Sequence, residues 1–393
     1  MKVDGIYIGG WFQRTMLQLS EIYDFLRDCK SELKLDKEKL VELRNNLNIG
    51  SIDYSVSGVE YIILTTGDNI TVKIFEDGLV VLNSKEAKYD TLLSDVKKLE
   101  NYYENKLSPA FSYLFSLGAP VPKELANIET VYPYFIVLDK ANEEEIKELL
   151  LKSDKQKYFN FDNKKYEVVR GDKFYYINNK SQNLENIERY IEEQIFIREF
   201  KGQLHRYLNI HRIIWEKIDD VKANTKVKGS DIVKFSTKLE AYAKTINLID
   251  GRIKQMSTYL PTREKIAKSD EELEEFLKIS GYRYETLRDT LAYIQYLWGM
   301  TQNYVQAAQR QFEGIKSDVT SKSVSSLTIV TSMSAGAAIL GLFQNSKPEF
   351  TMFGVLYFFI LAVIGWSSNK ILKAISSKQK YNVTDIEYEK DIK

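Results

Sequence analysis

The sequence predicts an α+β cytosolic head, then a long helical stalk, then a C-terminal two-helix transmembrane hairpin. Three observations carry that prediction. Strand-like patterns concentrate in about the first 180 residues. A heptad pattern free of proline follows, from about Ser269 to Lys322. Beyond it lie two stretches without a charged residue, Val324 to Phe343 and Phe350 to Asn369.

The composition sets the outer bounds. Of 393 residues 44% are apolar and 28% charged, with only 6 Pro and 19 Gly, which excludes a disordered or collagenous chain. Lys+Arg and Asp+Glu are both 55, so there is no basic excess and direct nucleic-acid binding is not expected. A single cysteine, Cys29, excludes an intrachain disulfide and a multi-thiolate zinc site. His205 and His211 lie six apart, off a shared helical face, and read as surface or half-buried residues rather than metal ligands. The opening Met1-Lys2-Val3-Asp4-Gly5 lacks the apolar run of a signal peptide, so the head is expected in the cytosol.

Within the head, residues 1–180, helical segments are expected near Thr15–Lys30, Tyr89–Asn105 and Glu143–Lys152. Tyr61-Ile62-Ile63-Leu64 reads as a strand. Ile70 to Phe75 alternates, then Glu76-Asp77-Gly78 turns into Leu79-Val80-Val81-Leu82, a hairpin pattern. Tyr132–Leu138, Tyr166–Val169 and Phe174–Ile177 add further strands. The pair Gly9-Gly10 reads as a turn. No Walker loop, GxGxxG, HExxH, CxxC or GxSxG pattern occurs, so no catalytic or metal-ligating residue is assigned and the chain is not expected to be an enzyme.

The stalk covers residues 181–322. Asn183–Val221 and Asp231–Leu260 place apolar residues every three or four positions, as helices do. From there Leu291, Trp298, Val305, Phe312 and Val319 form one heptad series. Leu287, Ile294, Thr301, Ala308 and Ile315 form the other, an a/d seam interrupted only by Thr301. A helix from residue 269 to residue 343 would be about 110 Å long at 1.5 Å per residue. Such a helix is expected to associate, most simply with copies of itself.

The hairpin covers residues 323–370, with helices at about 324–343 and 350–369, and leaves 371–393 as a cytosolic tail. Each uncharged run matches the roughly 30 Å hydrocarbon core of a bilayer. Lys316 and Lys322 before the first helix, and Lys370, Lys373, Lys378 and Lys380 after the second, place both termini in the cytoplasm. The expected location is the inner or plasma membrane, crossed twice. Thr328, Ser332, Ala335, Ile339 and Phe343 fall in one stripe of the first helix, suited to close packing or to lining a wetted path.

The head, the stalk helix and the C-terminal hairpin, with SVSSLTIVTSMSAGAAILGLF as first membrane helix, resemble the CorA family of divalent-cation channels. The resemblance implies a five-fold funnel, a homopentamer, with Thr328, Ser332, Ala335, Ile339 and Phe343 lining the pore. Asn345, Lys347 and Glu349 would stand at its mouth. The family's Gly-Met-Asn signature is replaced by Gly341-Leu342-Phe343, and the only Gly-Met pair, Gly299-Met300, lies in the stalk. A Phe offers no oxygen to hydrated magnesium, which departs from magnesium selectivity. The segment Tyr7-Ile8-Gly9-Gly10-Trp11-Phe12-Gln13-Arg14 resembles the start of CorA-like proteins associated with type III CRISPR systems, which act as antiviral membrane effectors. The ligand implied is S-adenosylmethionine–AMP. Trp11 and Arg14 could stack on and pair with it, or Trp11 and Phe12 could be core anchors. The expected function is a homo-oligomeric ion channel gated by that second messenger. The alternatives are a magnesium or other divalent-cation transporter and a membrane-tethered scaffold.

Overall fold

A computed structural model describes residues 2–12, 18–56, 59–85, 87–115, 132–153, 157–162, 165–180, 184–222, 226–269, 282–342 and scattered positions from 352 to 382. Contacts divide the chain into two compact units. The first takes in Met1–Ile210 and Leu248–Tyr296, the second His211–Asn247 and Leu297–Lys393. The first unit therefore includes parts of all three long helices that the sequence pattern assigns to a stalk.

The first unit is built on a nine-stranded sheet. In chain order its strands are β1 (Lys2–Trp11), β2 (Ile49–Ser55), β3 (Tyr61–Thr66), β4 (Ile70–Phe75), β5 (Leu79–Ser84), β6 (Tyr134–Asp139), β7 (Lys157–Asp162), β8 (Tyr166–Gly171) and β9 (Phe174–Asn179). They lie in the order β2-β3-β4-β5-β1-β6-β9-β8-β7, antiparallel throughout except for β6 beside β9. Helices α1 (Leu19–Asp28), α2 (Lys37–Asn46), α3 (Leu92–Tyr102), α4 (Ser108–Leu114) and α5 (Glu143–Ser153) contribute to one core cluster with a face of this sheet. A single wide turn, Tyr103–Leu107, joins α3 to α4. The long helices are α6 (Leu184–Lys222), α7 (Gly229–Ser269) and α8 (Tyr282–Leu342).

β1 is the hub, and Gly9-Gly10 is part of it rather than a turn. Side chains alternate across a strand, so the two glycines face opposite layers. A Cβ on Gly9 would meet the Val80 carbonyl at 2.5 Å and Ile195 of α6 at 3.0 Å. On Gly10 it would sit 2.0 Å from the Tyr103 hydroxyl. Layers close in from both sides, and only glycine leaves room.

In the second unit the heptad seam is buried within the chain itself. Trp298, Thr301, Val305, Ala308 and Phe312 are all fully buried, and Phe312 packs against Phe235 of α7 at 5.8 Å. Leu287, Leu291 and Ile294 are likewise buried in the first unit. Association with other copies is thus not what covers these positions; Ile315 is only half-buried, and the Val319 side chain lies outside the described ones. The polar interruption has a partner too: the Thr301 hydroxyl shares a 2.6 Å hydrogen bond with His211 Nε2. His211 stacks on Trp215 and meets the edge of Trp298. A short ladder of β10 (Lys226–Lys228) and β11 (Lys380–Asn382) completes the described part.

Burial lowers the His211 pKa, offset only in part by a bond with the Leu297 backbone. The unfolded chain then takes up the proton first as pH falls. Stability present above the free imidazole value of about 6.5 should be lost as pH drops through the folded value. Melting from pH 7.5 down to pH 5 should show this loss, and His211→Gln should flatten it. An unchanged slope in the variant would refute the assignment.

The hairpin expectation is corrected. Among the described residues no helix is long and apolar enough to cross a membrane. The two-helix transmembrane fold, and with it a two-pass placement in the inner or plasma membrane, is not supported. Residues 324–342 form the last turns of α8. The Thr328 and Thr331 hydroxyls bond back to carbonyls of their own helix. Of 350–369 only scattered positions are described.

Candidate functional site

The register of three adjacent strands builds one wall of a cleft in the first unit. Phe135 of β6 is the direct partner of Tyr175 of β9, and Tyr175 that of Arg170 of β8. Directly opposed residues share a face of a sheet, so their side chains stack in a row. The Phe135 and Tyr175 rings lie 5.1 Å apart and 6° from parallel. The Arg170 guanidinium carbon sits 5.4 Å from the Tyr175 centroid, a cation–π contact.

α6 supplies the second wall. Gln194, Ile197, Arg198, Lys201, Leu204 and His205 recur at helical spacing and present one stripe to the cleft. Thr286, Leu287 and Thr290 of α8 close it, with Tyr132 and Pro133 at the sheet's edge. The cavity measures about 420 Å³, within the range of about 300–1,000 Å³ typical of small-molecule sites.

Its charge is one-sided. Arg170, Arg198 and Lys201 line it along with His205, and among the described residues no carboxylate does. Arg198 is committed elsewhere: it donates to the carbonyls of Pro133 and Gly9 and pairs with Glu199 at 2.9 Å. Arg170 is not so committed. Its Nε is buried and has no hydrogen-bond partner among the described residues. A buried donor left unpaired costs about 1–3 kcal/mol. Lys201 and His205, four residues apart on α6, are exposed and reach the same space.

Beside the cleft lies a buried ion network. Arg263 of α7, 3% exposed, donates through Nε and Nη2 to the Asp77 carboxylate and through Nη1 to Glu193 at 3.1 Å. Its guanidinium also lies over Phe75 at 4.9 Å and Phe196 at 5.3 Å. The Tyr284 hydroxyl of α8 donates to the other oxygen of Glu193. Burial works against the Arg263 charge, but Asp77 and Glu193 outweigh it and raise its pKa. Burial pushes the Glu193 carboxyl up, and Arg263 and Tyr284 pull it back only in part. A second set, Lys73 with Glu188 at 3.2 Å and Glu192 at 2.8 Å, ties β4 to the start of α6.

Of the residues singled out in the sequence, His205 and Leu287 line this cleft, whereas none of the described residues expected to bind the ligand or line a pore does. Trp11 is 3% exposed, its indole N–H donates to the Asp77 carbonyl at 2.7 Å, and its ring packs on Phe200 at 5.5 Å. Arg14 lies outside the described residues. Thr328, Ser332 and Ala335 are exposed on α8, and Ile339 falls within the same helix. Phe343, Asn345, Lys347 and Glu349 lie outside the described residues. Among the described residues no group of three or more His, Cys, Asp or Glu side chains could hold a metal ion. The cleft did leave a trace in the sequence: Arg198, Lys201 and His205 recur on one helical face without an acidic residue among them.

No family model and no curated protein matches the chain. One solved structure with a likeness to it is the complete CorA magnesium transporter from Methanocaldococcus jannaschii. The likeness covers 63% of this chain and 93% of that one, at 11% identity and a TM-score of 0.25, a loose similarity and no more.

Proposed function

We propose that this protein is a receptor for a small anionic, aromatic ligand of nucleotide type, bound in the cleft between the sheet, α6 and α8. The observation that carries this reading is the stacked row of Phe135, Tyr175 and Arg170 in a cleft whose charged lining, among the described residues, is cationic. Tyr132, Phe135 and Tyr175 offer ring surface, and Arg170, Lys201 and His205 offer donors for phosphate oxygens. With no carboxylate among its described lining residues, the site is read as binding rather than catalytic, and as unfavourable to a divalent cation. S-adenosylmethionine–AMP, the messenger implied by the N-terminal resemblance, is one molecule of this class. Ion conduction is not included, because it would need the membrane hairpin that the described helices do not supply. If the protein forms a homo-oligomer, the seam from Leu287 to Phe312 cannot supply the contact without opening the chain's own core.

Calorimetry on the full chain tests the reading with S-adenosylmethionine–AMP, ATP, AMP and S-adenosylmethionine. The phosphate-bearing ligands should bind tighter than about 1 mM, or about −4 kcal/mol, and S-adenosylmethionine more weakly. Arg170→Ala should weaken the best of them at least tenfold, about 1.4 kcal/mol. Equal affinity in the variant, or no binding to wild type, overturns the proposal. Preference for S-adenosylmethionine–AMP over ATP would favour an antiviral effector role in a type III CRISPR system.

A further inference from the structure

We infer that the first turns of α8 are a movable wall of this cleft, clasped by the hydrogen bond from Tyr284 to Glu193, and that clasp and ligand reinforce each other. The inference rests on the cleft being the ligand site proposed above. Two pairs of neighbours carry it. Glu193 and Gln194 are consecutive on α6: the first takes the Tyr284 hydroxyl, the second lines the cleft. Tyr284 on α8 precedes Thr286 and Leu287, which line it from the other side. One α6–α8 separation is therefore set twice within a turn of helix, by the clasp and by whatever fills the cavity.

The clasp is a buried contact and its alternative is a surface one. Tyr284 and Glu193 are 4% and 3% exposed. Another polar tie in these turns, Arg288 to Glu264 of α7 at 2.8 Å, leaves its arginine 54% exposed, and a pair so open to solvent contributes little. Removing the Tyr284 hydroxyl leaves a buried carboxylate short of one donor, which favours states with α8 displaced.

The clasped state already presents Thr286 and Thr290 to the cavity, so it is the state that binds. Apparent affinity scales with the fraction of molecules in that state. By reciprocity, a bound ligand must strengthen the clasp by the same factor as the clasp strengthens binding.

The test combines calorimetry with amide hydrogen exchange on the full chain, using ATP and S-adenosylmethionine–AMP as probes. Tyr284→Phe should bind the better probe at least fivefold more weakly than wild type. It should also exchange faster over residues 282–296 in the absence of ligand. Ligand should slow exchange over that segment in wild type. Arg288→Ala, which removes only the surface tie, should stay within twofold of wild-type affinity. Binding to wild type with no loss in Tyr284→Phe, or with exchange over 282–296 unchanged by ligand, overturns the clasp and leaves the receptor reading intact. If neither probe binds wild type, the receptor reading falls and this inference falls with it.

Discussion

Arg263→Ala should lower the stability of the first unit by about 3–5 kcal/mol, the cost of breaking a buried ion pair by removing one partner. It strands two buried carboxylates, Asp77 and Glu193, which share this one guanidinium. The same arginine joins the β4–β5 turn to α6 and α7, so the loss is not confined to one element. A fall in melting temperature on the order of 10 °C is expected. The charge itself is not the source of stability. Replacing Arg263, Asp77 and Glu193 together by apolar residues of similar volume should recover much of the loss, because a buried ionic cluster often contributes no more than a packed apolar one. Thermal melts of the single and triple variants decide the point. A single variant within 1 kcal/mol of wild type would show that water reaches the cluster and that its burial is incomplete.

Gly10→Ala is expected to lose about 3 kcal/mol or more from the addition of one methyl group. The new Cβ would lie 2.0 Å from the Tyr103 hydroxyl and 2.9 Å from the ring carbon that carries it. Tyr103 is fully buried at the wide turn between α3 and α4 and cannot swing into solvent. Overpacking of this kind typically costs about 1–3 kcal/mol. With the partner pinned on all sides, the upper end or beyond is expected. Tyr103→Phe removes the atom that clashes first, so the double variant should be more stable than Gly10→Ala alone. Because the two residues touch, the effects should be strongly non-additive. Equal stability of the single and double variants would mean that β1, not Tyr103, gives way.

Several elements were legible in the sequence because their cause is local. Alternation at Ile70–Phe75 and the Glu76-Asp77-Gly78 turn correspond to β4, its turn and β5. Helical periodicity located α3, α5 and the long helices to within a few residues at most ends. β1 escaped, although it is the centre of the sheet. A strand covered on both faces does not alternate between apolar and polar residues. Its two glycines, moreover, imitate a turn when the layers they admit are not in view. α2, β2 and β7 escaped as well; β2 is only partly buried and shows no clear alternation.

By itself the sequence determined an α+β first part, long helices after it, and a heptad seam that must be covered. Each is a matter of periodicity, which is a property of neighbours in the chain. Only the tertiary structure decided what covers the seam, since the same apolar stripe fits another copy or another helix of its own chain. Tertiary structure also decided where chemistry could occur. Arg170, Tyr175 and Phe135 come from three strands and meet through register alone, and the row faces a cationic stripe on α6. Phe135 and Tyr175 lie far apart in sequence, and such a pairing leaves no periodic trace because nothing local requires it.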